Sequence, residues 1–217
     1  MQLEPFSRAH VPLLGALLGD PDTLRWTRIP EPPPPGFGED WADRYEAGRS
    51  EGTKEGFAVL DASGEFLGLA LVPSIDRESR EAELGYMVVP AARGRGVATA
   101  ILRELTAWAL REGVQRCELI ISAGNVASER VAERAGYVRE GYLRSVYLKQ
   151  GKRDDVTVWS RLPSDPDPYS GPPARPMQPG CASSRSGCCS PSPPPAAGAP
   201  PRPRSPRARC ATASPCR

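Results

Sequence analysis

Histidine is almost missing from this chain. His10 is the only one and sits early in the first helical stretch, so a structural or exposed role is expected of it and histidine catalysis is not. Cysteine is scarce too: of six cysteines only Cys117 precedes Pro163. It heads an apolar strand and reads as an inert core thiol. Lysine numbers three against 25 arginines, the mark of GC-rich coding. No apolar run reaches the ~20 residues that span a bilayer. The opening MQLEPFSRAHVPLL has an acid and a proline where a secretion signal has a basic start and an apolar core. A cytoplasmic location without membrane attachment is therefore expected. Basic charge is also lacking where nucleic acid would need it. Residues 1–162 hold 21 basic and 24 acidic side chains, and the formal +2 of the whole comes from the remainder. Nucleic-acid binding is not expected.

Composition breaks near Pro163. Residues 163–217 hold sixteen of the 26 prolines and five of the six cysteines, with few large apolar side chains. Such a segment has no core to offset chain entropy. The expected organisation is one domain over 1–162 and a disordered tail over 163–217. Cys181, Cys188, Cys189, Cys210 and Cys216 fit no common zinc spacing and have no histidine beside them, so no metal site is expected. Pro, Arg, Ala, Ser, Gly and Cys together are what GC-rich codons yield when read out of frame. The tail reads as a frameshift, a read-through product or a recent extension. An unbroken third-position codon bias across codon 163 would contradict that reading.

Patterning within the domain predicts a strand at Gln2–Glu4, then a helix capped by Ser7 with Val11, Leu14, Leu17 and Leu18 inward. Asp20 to Gly38 reads as loop, stiffened by Pro32 to Pro35. A short helix from Glu39 to Gly48 carries Trp41 and Tyr45 on one face. Strands follow at Phe57–Asp61 and Phe66–Pro73 around the turn Ala62-Ser63-Gly64. Glu81–Val89 is a strand, Val97–Arg111 a helix stopped by Gly113, and Arg116–Ser122 a strand. Ala127–Ala135 is a helix ending at Gly136, and Tyr137–Leu148 and Asp155–Arg161 are the last strands. Mixed order with long hairpins implies an α+β sandwich rather than a doubly wound sheet.

What is present in force is the stretch Glu83–Ala98, ELGYMVVPAARGRGVA. Pro90 ends the strand because it has no N–H for the ladder. Arg93-Gly94-Arg95-Gly96-Val97-Ala98 then leads into a helix whose inward face is Val97, Ile101, Leu102, Leu105, Trp108 and Ala109. A glycine-rich turn at a helix start gathers unpaired N–H groups at the positive end of the helix dipole, which suits phosphate. An ordinary strand–turn–helix would use glycines in the same way. There is no Gly-Lys-Ser/Thr of a Walker loop and no third glycine of a dinucleotide fingerprint.

The pattern Arg/Gln-x-x-Gly-x-Gly/Ala, met by Arg93, Gly96 and Ala98, resembles the acetyl-CoA pyrophosphate loop of the GNAT superfamily of N-acetyltransferases. The likeness continues through Asn125-x-x-Ser128, Ala135-Gly136-Tyr137, Glu140-Gly141 and Arg153-Asp154-Asp155-Val156, which are similar to the branch that acetylates the N-termini of ribosomal proteins. It covers 1–162 and is strongest from Glu83 onward. It implies a GNAT fold: a mixed, mostly antiparallel sheet of about seven strands flanked by about four helices. It also implies acetyl-CoA as cosubstrate and a primary amine as acceptor, either a peptide N-terminus or a small molecule such as an antibiotic or a polyamine. Attack on the thioester would be direct, since no residue stands out as an acyl-enzyme nucleophile. A monomer or homodimer is expected. A silent acyl-CoA-binding module is the rival of a different class.

The resemblance assigns roles to particular residues. Backbone groups near Val88 and Val89 would pair with pantetheine beyond a bulge that splays two strands, and Arg93, Gly94, Arg95, Gly96, Val97 and Ala98 would hold the pyrophosphate. Asn125 would contact pantetheine, or else it closes the turn after Gly124. Glu83 is the candidate base, with Glu81 the fallback on the same strand face; the alternative is an ion-paired strand carboxylate. Ser128 is the candidate acid, because the tyrosine that many members carry seven residues after the Asn is Ala132 here; the alternative is helix capping. Some members of the branch carry a glutamate where this chain has Tyr147. Trp26, Trp41 and Tyr86 belong either to the acceptor pocket or to the core.

Overall fold

A computed structural model describes residues 1–167 of the 217. The expectations for the tail fall almost wholly beyond them. In chain order the elements are β1 (Gln2–Pro5), a 3-10 stretch (Arg8–Leu14), α1 (Gly15–Leu18), α2 (Pro21–Trp26), α3 (Phe37–Glu51), β2 (Glu55–Leu60), β3 (Phe66–Asp76) and β4 (Glu81–Val88). They continue with α4 (Val97–Arg111), β5 (Arg116–Ser122), α5 (Val126–Arg134), β6 (Val138–Lys149) and β7 (Lys152–Arg161). The seven strands form one sheet in the order β1-β2-β3-β4-β5-β7-β6. Every neighbouring pair is antiparallel except β4 and β5. This is the mixed GNAT-like sheet that the sequence implies.

Three local outcomes differ from the sequence reading. The first helical segment divides into 3-10 and α turns, with Pro12 inside the 3-10 part, where it withholds a backbone N–H. Leu14 and Leu17 are still fully buried. The stretch expected as loop after Asp20 contains α2. Asp20 caps it by accepting from the Thr23 amide at 2.8 Å, and Pro21 occupies its first turn. Asp-Pro is a helix-start pair, since proline loses nothing at a position whose N–H is orphaned. β3 also runs past Pro73. Leu71 pairs with Gly85 and Ser74 with Glu83, so Val72 and Pro73 together face Leu84. The bulge absorbs the proline, which has no ladder donor to offer.

Helices cover both faces of the sheet. The Phe57 ring meets Trp108 of α4 edge-on at 5.5 Å. A Cβ at neighbouring Gly56 would stand 2.9 Å from the Tyr45 ring of α3. Adjacent strand residues point to opposite faces, so α3 and α4 lie on opposite sides. Ile101, Leu102, Leu105 and Ala109 of α4 are fully buried. Phe6, Trp41 and Tyr45 form an edge-to-face cluster beneath α3, which places Trp41 in the core. Cys117 is fully buried and its thiol is pushed up to about 12 by burial, as befits an inert core thiol. His10 is buried; its Nδ1 accepts the Ser7 amide at 3.2 Å, and its Nε2 lies 3.4 Å from Glu4.

Candidate functional site

The site begins where two strands part. β4 and β5 pair only at Glu81–Arg116, Ala82–Cys117 and Glu83–Glu118. Beyond Glu83 the β4 edge facing β5 has lost its neighbour. The Val89 amide donates to Leu67 O at 3.0 Å, and strand alternation then turns the backbone groups of Val88 and Tyr86 away from β3 and into the gap. The Val88 carbonyl accepts Arg93 Nε at 3.2 Å. Val89 itself is buried in the core.

A cleft of about 350 Å³ fills this gap. Tyr86, Met87 and Val88 of β4 form one wall, and Asn125, Ala127, Ser128, Val131 and Arg134 of α5 the other. Arg93, Gly94, Gly96, Val97, Ala98 and Thr99 close one end, and Asp22, Thr23, Trp26 and Thr27 cover it from α2. Of the sequence-predicted cofactor residues, Val88, Arg93, Gly94, Gly96, Val97, Ala98 and Asn125 thus meet in one place. Arg95 lines a separate hollow with Met1 and Asp61, although Gly96 and Val97 border both.

Glycine is required at two of these positions. Gly94 and Gly96 have φ of +74° and +80°, and a Cβ at either would project into open space. The constraint is the left-handed backbone, which side-chain-bearing residues adopt at a cost. Gly96 caps α4, whose first intrahelical bond here is Ala100 N to Gly96 O at 3.1 Å. The amides of Val97, Ala98 and Thr99 therefore face outward at the positive end of the helix dipole. A cradle with no side chain in the way, outward amides and an unpaired strand edge together fit a pyrophosphate joined to an extended amide-bearing arm.

The Arg93 side chain is occupied elsewhere. Besides Val88 O it donates to Asp20 and, at 3.0 Å, to Thr23 Oγ1, with Asp22 at 3.6 Å. Burial raises the Asp20 pKa; Arg93 and Thr23 more than reverse this and hold it below the ordinary carboxylate value. Arg93 thus fastens α2 over the glycine turn, and its charge is largely neutralised there.

Ser128 is not the N-cap of α5; that residue is Asn125. Its Oδ1 accepts the Ser128 amide at 3.1 Å and so caps α5. The Ser128 hydroxyl is not spent on capping and stands in the cleft wall.

Glu83 lies outside the cleft, at the last β4–β5 pair and on the opposite strand face from Tyr86. Its carboxylate accepts Arg28 Nη2 at 2.6 Å, and the same guanidinium stands 4.5 Å from the centre of the Tyr147 ring. Burial pushes the Tyr147 hydroxyl up to about 12, with Arg28 pulling it down and Glu83 adding to the rise. Tyr45 is raised by burial and by Glu83. The β6–β7 turn holds the loop that carries Arg28: Lys149 donates to the carbonyls of Leu24 and Thr27, and Gln150 donates to Glu31 O at 2.7 Å. The neighbouring acids are otherwise engaged. Arg116 lies 3.9 Å from Glu81, 3.2 Å from Glu118 and 2.5 Å from Glu140. Sequence reasoning missed Arg28 and the whole of α2. Asp20-Pro21 signalled the helix; nothing local signals Arg28, whose partner is 55 residues away.

Among the described residues no cluster of His, Cys, Asp or Glu is arranged to hold a metal, and no helix is long and apolar enough to cross a membrane.

Known proteins resemble this chain in sequence and fold. Residues 1–138 match the family model of the acetyltransferase (GNAT) domain. YdaF of Bacillus subtilis (strain 168), a candidate ribosomal N-acetyltransferase, is 30% identical over 142 residues, 65% of this chain and 70% of that protein. The solved structure of RimL, a ribosomal L7/L12 α-N-protein acetyltransferase with coenzyme A, superimposes with a TM-score of 0.67 at 20% identity, covering 74% of this chain and 92% of that one. Spermidine N-acetyltransferase from Vibrio cholerae, with CoA and spermine, gives 0.66 at 21% identity, covering 76% and 96%. At such identities the likeness is one of fold.

Proposed function

The chain belongs to the acetyltransferase (GNAT) family and is an acetyl-CoA-dependent N-acetyltransferase; from that premise we propose that its acceptor is a single α-amino group at a peptide N-terminus. The observation that carries the acceptor class is the lone carboxylate at the gap. Glu83 has one cationic partner, Arg28, and the acids around it are bound to Arg116. A polyamine carries several charges and calls for several uncommitted carboxylates. One α-ammonium calls for one, which Glu83 supplies when the ammonium takes the place of Arg28. The kinship with YdaF favours the same reading.

In this reading the glycine turn and the first amides of α4 hold the pyrophosphate of acetyl-CoA, and the open edge of β4 guides its arm toward the gap. Acetyl-CoA supplies an activated acyl group, so the protein needs no nucleophile of its own. Glu83 receives the amine from the other face, orients it, and takes its proton, directly or through water, as nitrogen bonds to the acyl carbon. An α-amine titrates near ~8 and is partly neutral at pH 7, whereas lysine near ~10.4 is not. One modest base is therefore sufficient. Ser128 supplies the proton to the departing sulfur.

The test is acceptor-dependent release of thiol from acetyl-CoA with three acceptors: a short peptide with a free N-terminus, the same peptide blocked at its N-terminus but containing lysine, and spermidine. Turnover with the first alone supports the proposal. Preference for spermidine overturns the acceptor assignment.

A further inference from the structure

We propose that Tyr147 is an acceptor-binding residue: its ring is the second wall of the ammonium site, opposite the Glu83 carboxylate. This rests on the reading of Glu83 as the group that receives the acceptor amine.

The structure already holds a cation in that place. The Arg28 guanidinium lies between Glu83 Oε1, 2.6 Å from its Nη2, and the Tyr147 ring, whose centre is 4.5 Å from its carbon. A carboxylate on one side and a π face on the other make a site for one positive charge. Arg28 is the exposed member of the three. Its side chain is 56% exposed against 19% for Glu83, and Tyr147 is half-buried. When the guanidinium swings out, carboxylate and ring are left facing the same space, and an α-ammonium is smaller than the group it replaces. Burial pushes the Tyr147 hydroxyl up to about 12, so the ring is a neutral face and adds no second negative charge.

The sheet edge is shaped to present this ring. Leu143 pairs with Val156 and Tyr147 with Asp154, so Arg144, Ser145 and Val146 of β6 stand opposite Asp155 alone. Asp155 pins the bulge by accepting the Ser145 amide at 2.8 Å and the Tyr142 hydroxyl at 2.5 Å. Arg153 donates to Ser145 O at 2.9 Å. A bulge bends its strand and re-aims the side chains beyond it. Here those side chains are Tyr147, which meets Arg28, and Lys149, which holds the carbonyls of Leu24 and Thr27. Tyr147 thus serves a site whose other wall, on β4, is three strands away in the sheet.

The experiment uses the full chain and the acceptor that gives the most thiol release. It reads acceptor KM, acetyl-CoA KM, kcat and Tm for Tyr147→Leu and Tyr147→Phe, each alone and with Arg28→Gln. Glu83→Gln with Arg28→Gln is the control. With Arg28 present, the ring exchanges one cation for another as the acceptor binds, so Tyr147→Leu is expected to change acceptor KM by less than about twofold. With Arg28→Gln the ring faces no cation until the acceptor arrives. There Tyr147→Leu is expected to raise acceptor KM about 3- to 30-fold, the range such contacts span. Acetyl-CoA KM should be unchanged, and Tyr147→Phe, which keeps the ring, should recover the loss. Tyr147→Met takes the place of the leucine variant if Tm shows that variant unfolded. Equal effects in both backgrounds are what a merely structural residue gives, and they overturn the inference. So does an acceptor KM that Tyr147→Leu leaves unchanged beside Arg28→Gln while Glu83→Gln impairs the enzyme, a result that leaves Glu83 standing. If Glu83→Gln alters neither KM nor kcat, the reading of Glu83 falls and the inference with it.

Discussion

Arg28 Nη2 lies 2.6 Å from Glu83 Oε1, with its guanidinium over the Tyr147 ring. A cation held between a carboxylate and an aromatic face is where an acceptor ammonium would rest. On the proposed role of Glu83, Arg28 would compete with the substrate. Its side chain is 56% exposed, so the pair is worth ~1 kcal/mol or less. Arg28→Gln is expected to lower KM for the acceptor by about 2- to 5-fold, the factor that energy represents, with KM for acetyl-CoA unchanged. A raised acceptor KM would mean that Arg28 assists binding instead.

The cradle depends on backbone shape at Gly96. A side chain there carries a left-handed penalty of ~1–2 kcal/mol and reaches into the open space above the α4 amides. Gly96→Glu adds a negative charge where the pyrophosphate would sit. Calorimetry should show CoA affinity reduced by at least about tenfold, since each 1.4 kcal/mol is tenfold. Wild-type affinity would place the pyrophosphate elsewhere.

Asp20 is both the cap of α2 and the anchor of Arg93. Asp20→Ala removes both and leaves the guanidinium facing an apolar side chain. A destabilisation of about 1–3 kcal/mol is expected in urea titration, together with weaker CoA binding because α2 covers the cleft. Asp20→Asn keeps the cap and loses the charge, so its stability should fall between. If alanine were neutral in both measurements, the fastening of α2 would be irrelevant to the site.

Glu140 ties the sheet edge together in a pH-dependent way. Arg116 of β5 reaches across β7 to hold both its carboxylate oxygens at 2.8 and 2.5 Å, and Ser160 donates to it at 2.6 Å. These bonds, Arg116 first, lower its pKa from 4.5 to about 2. A depressed carboxylate pKa stabilises the fold fully above the unfolded value and loses that contribution as pH falls through the folded one. Glu140→Gln should therefore lower Tm at pH 7, and the gap from wild type should close between pH 4.5 and 2. A gap that stays constant down to pH 2 would show that the charge on Glu140 contributes nothing.

Periodicity and punctuation made most of this fold legible. The helix Val97–Arg111 and the strand Arg116–Ser122 match their predicted limits, because each has a long apolar face and a glycine or turn residue at its end. The glycine turn was legible for a similar reason: Gly94 and Gly96 act through backbone shape, which is local, whereas the cap of α5 fell to Asn125 and not to Ser128. What was not legible depends on distant partners. Arg93 looked like a phosphate ligand in sequence, yet its side chain is fastened to Asp20, 73 residues away. The ladder position that ends β4–β5 pairing at Glu83 is set by the whole sheet. Tyr86 could not be assigned to core or pocket until its hydroxyl was seen beside the cleft without a partner.

The account turns on Glu83 acting at the β4–β5 gap, and a pH–rate profile of Glu83→Gln against wild type tests that most directly. The profile would be taken with the acceptor that gives the most thiol release. An amine near ~8 is mostly protonated at pH 7 and mostly neutral at pH 9. The variant should lose about 10²–10⁴-fold in rate at pH 7, the usual worth of a positioned base, and should recover part of it as pH rises and free amine accumulates. A variant profile superimposable on wild type would contradict the account and move the proton acceptor to Glu81, Tyr147 or solvent.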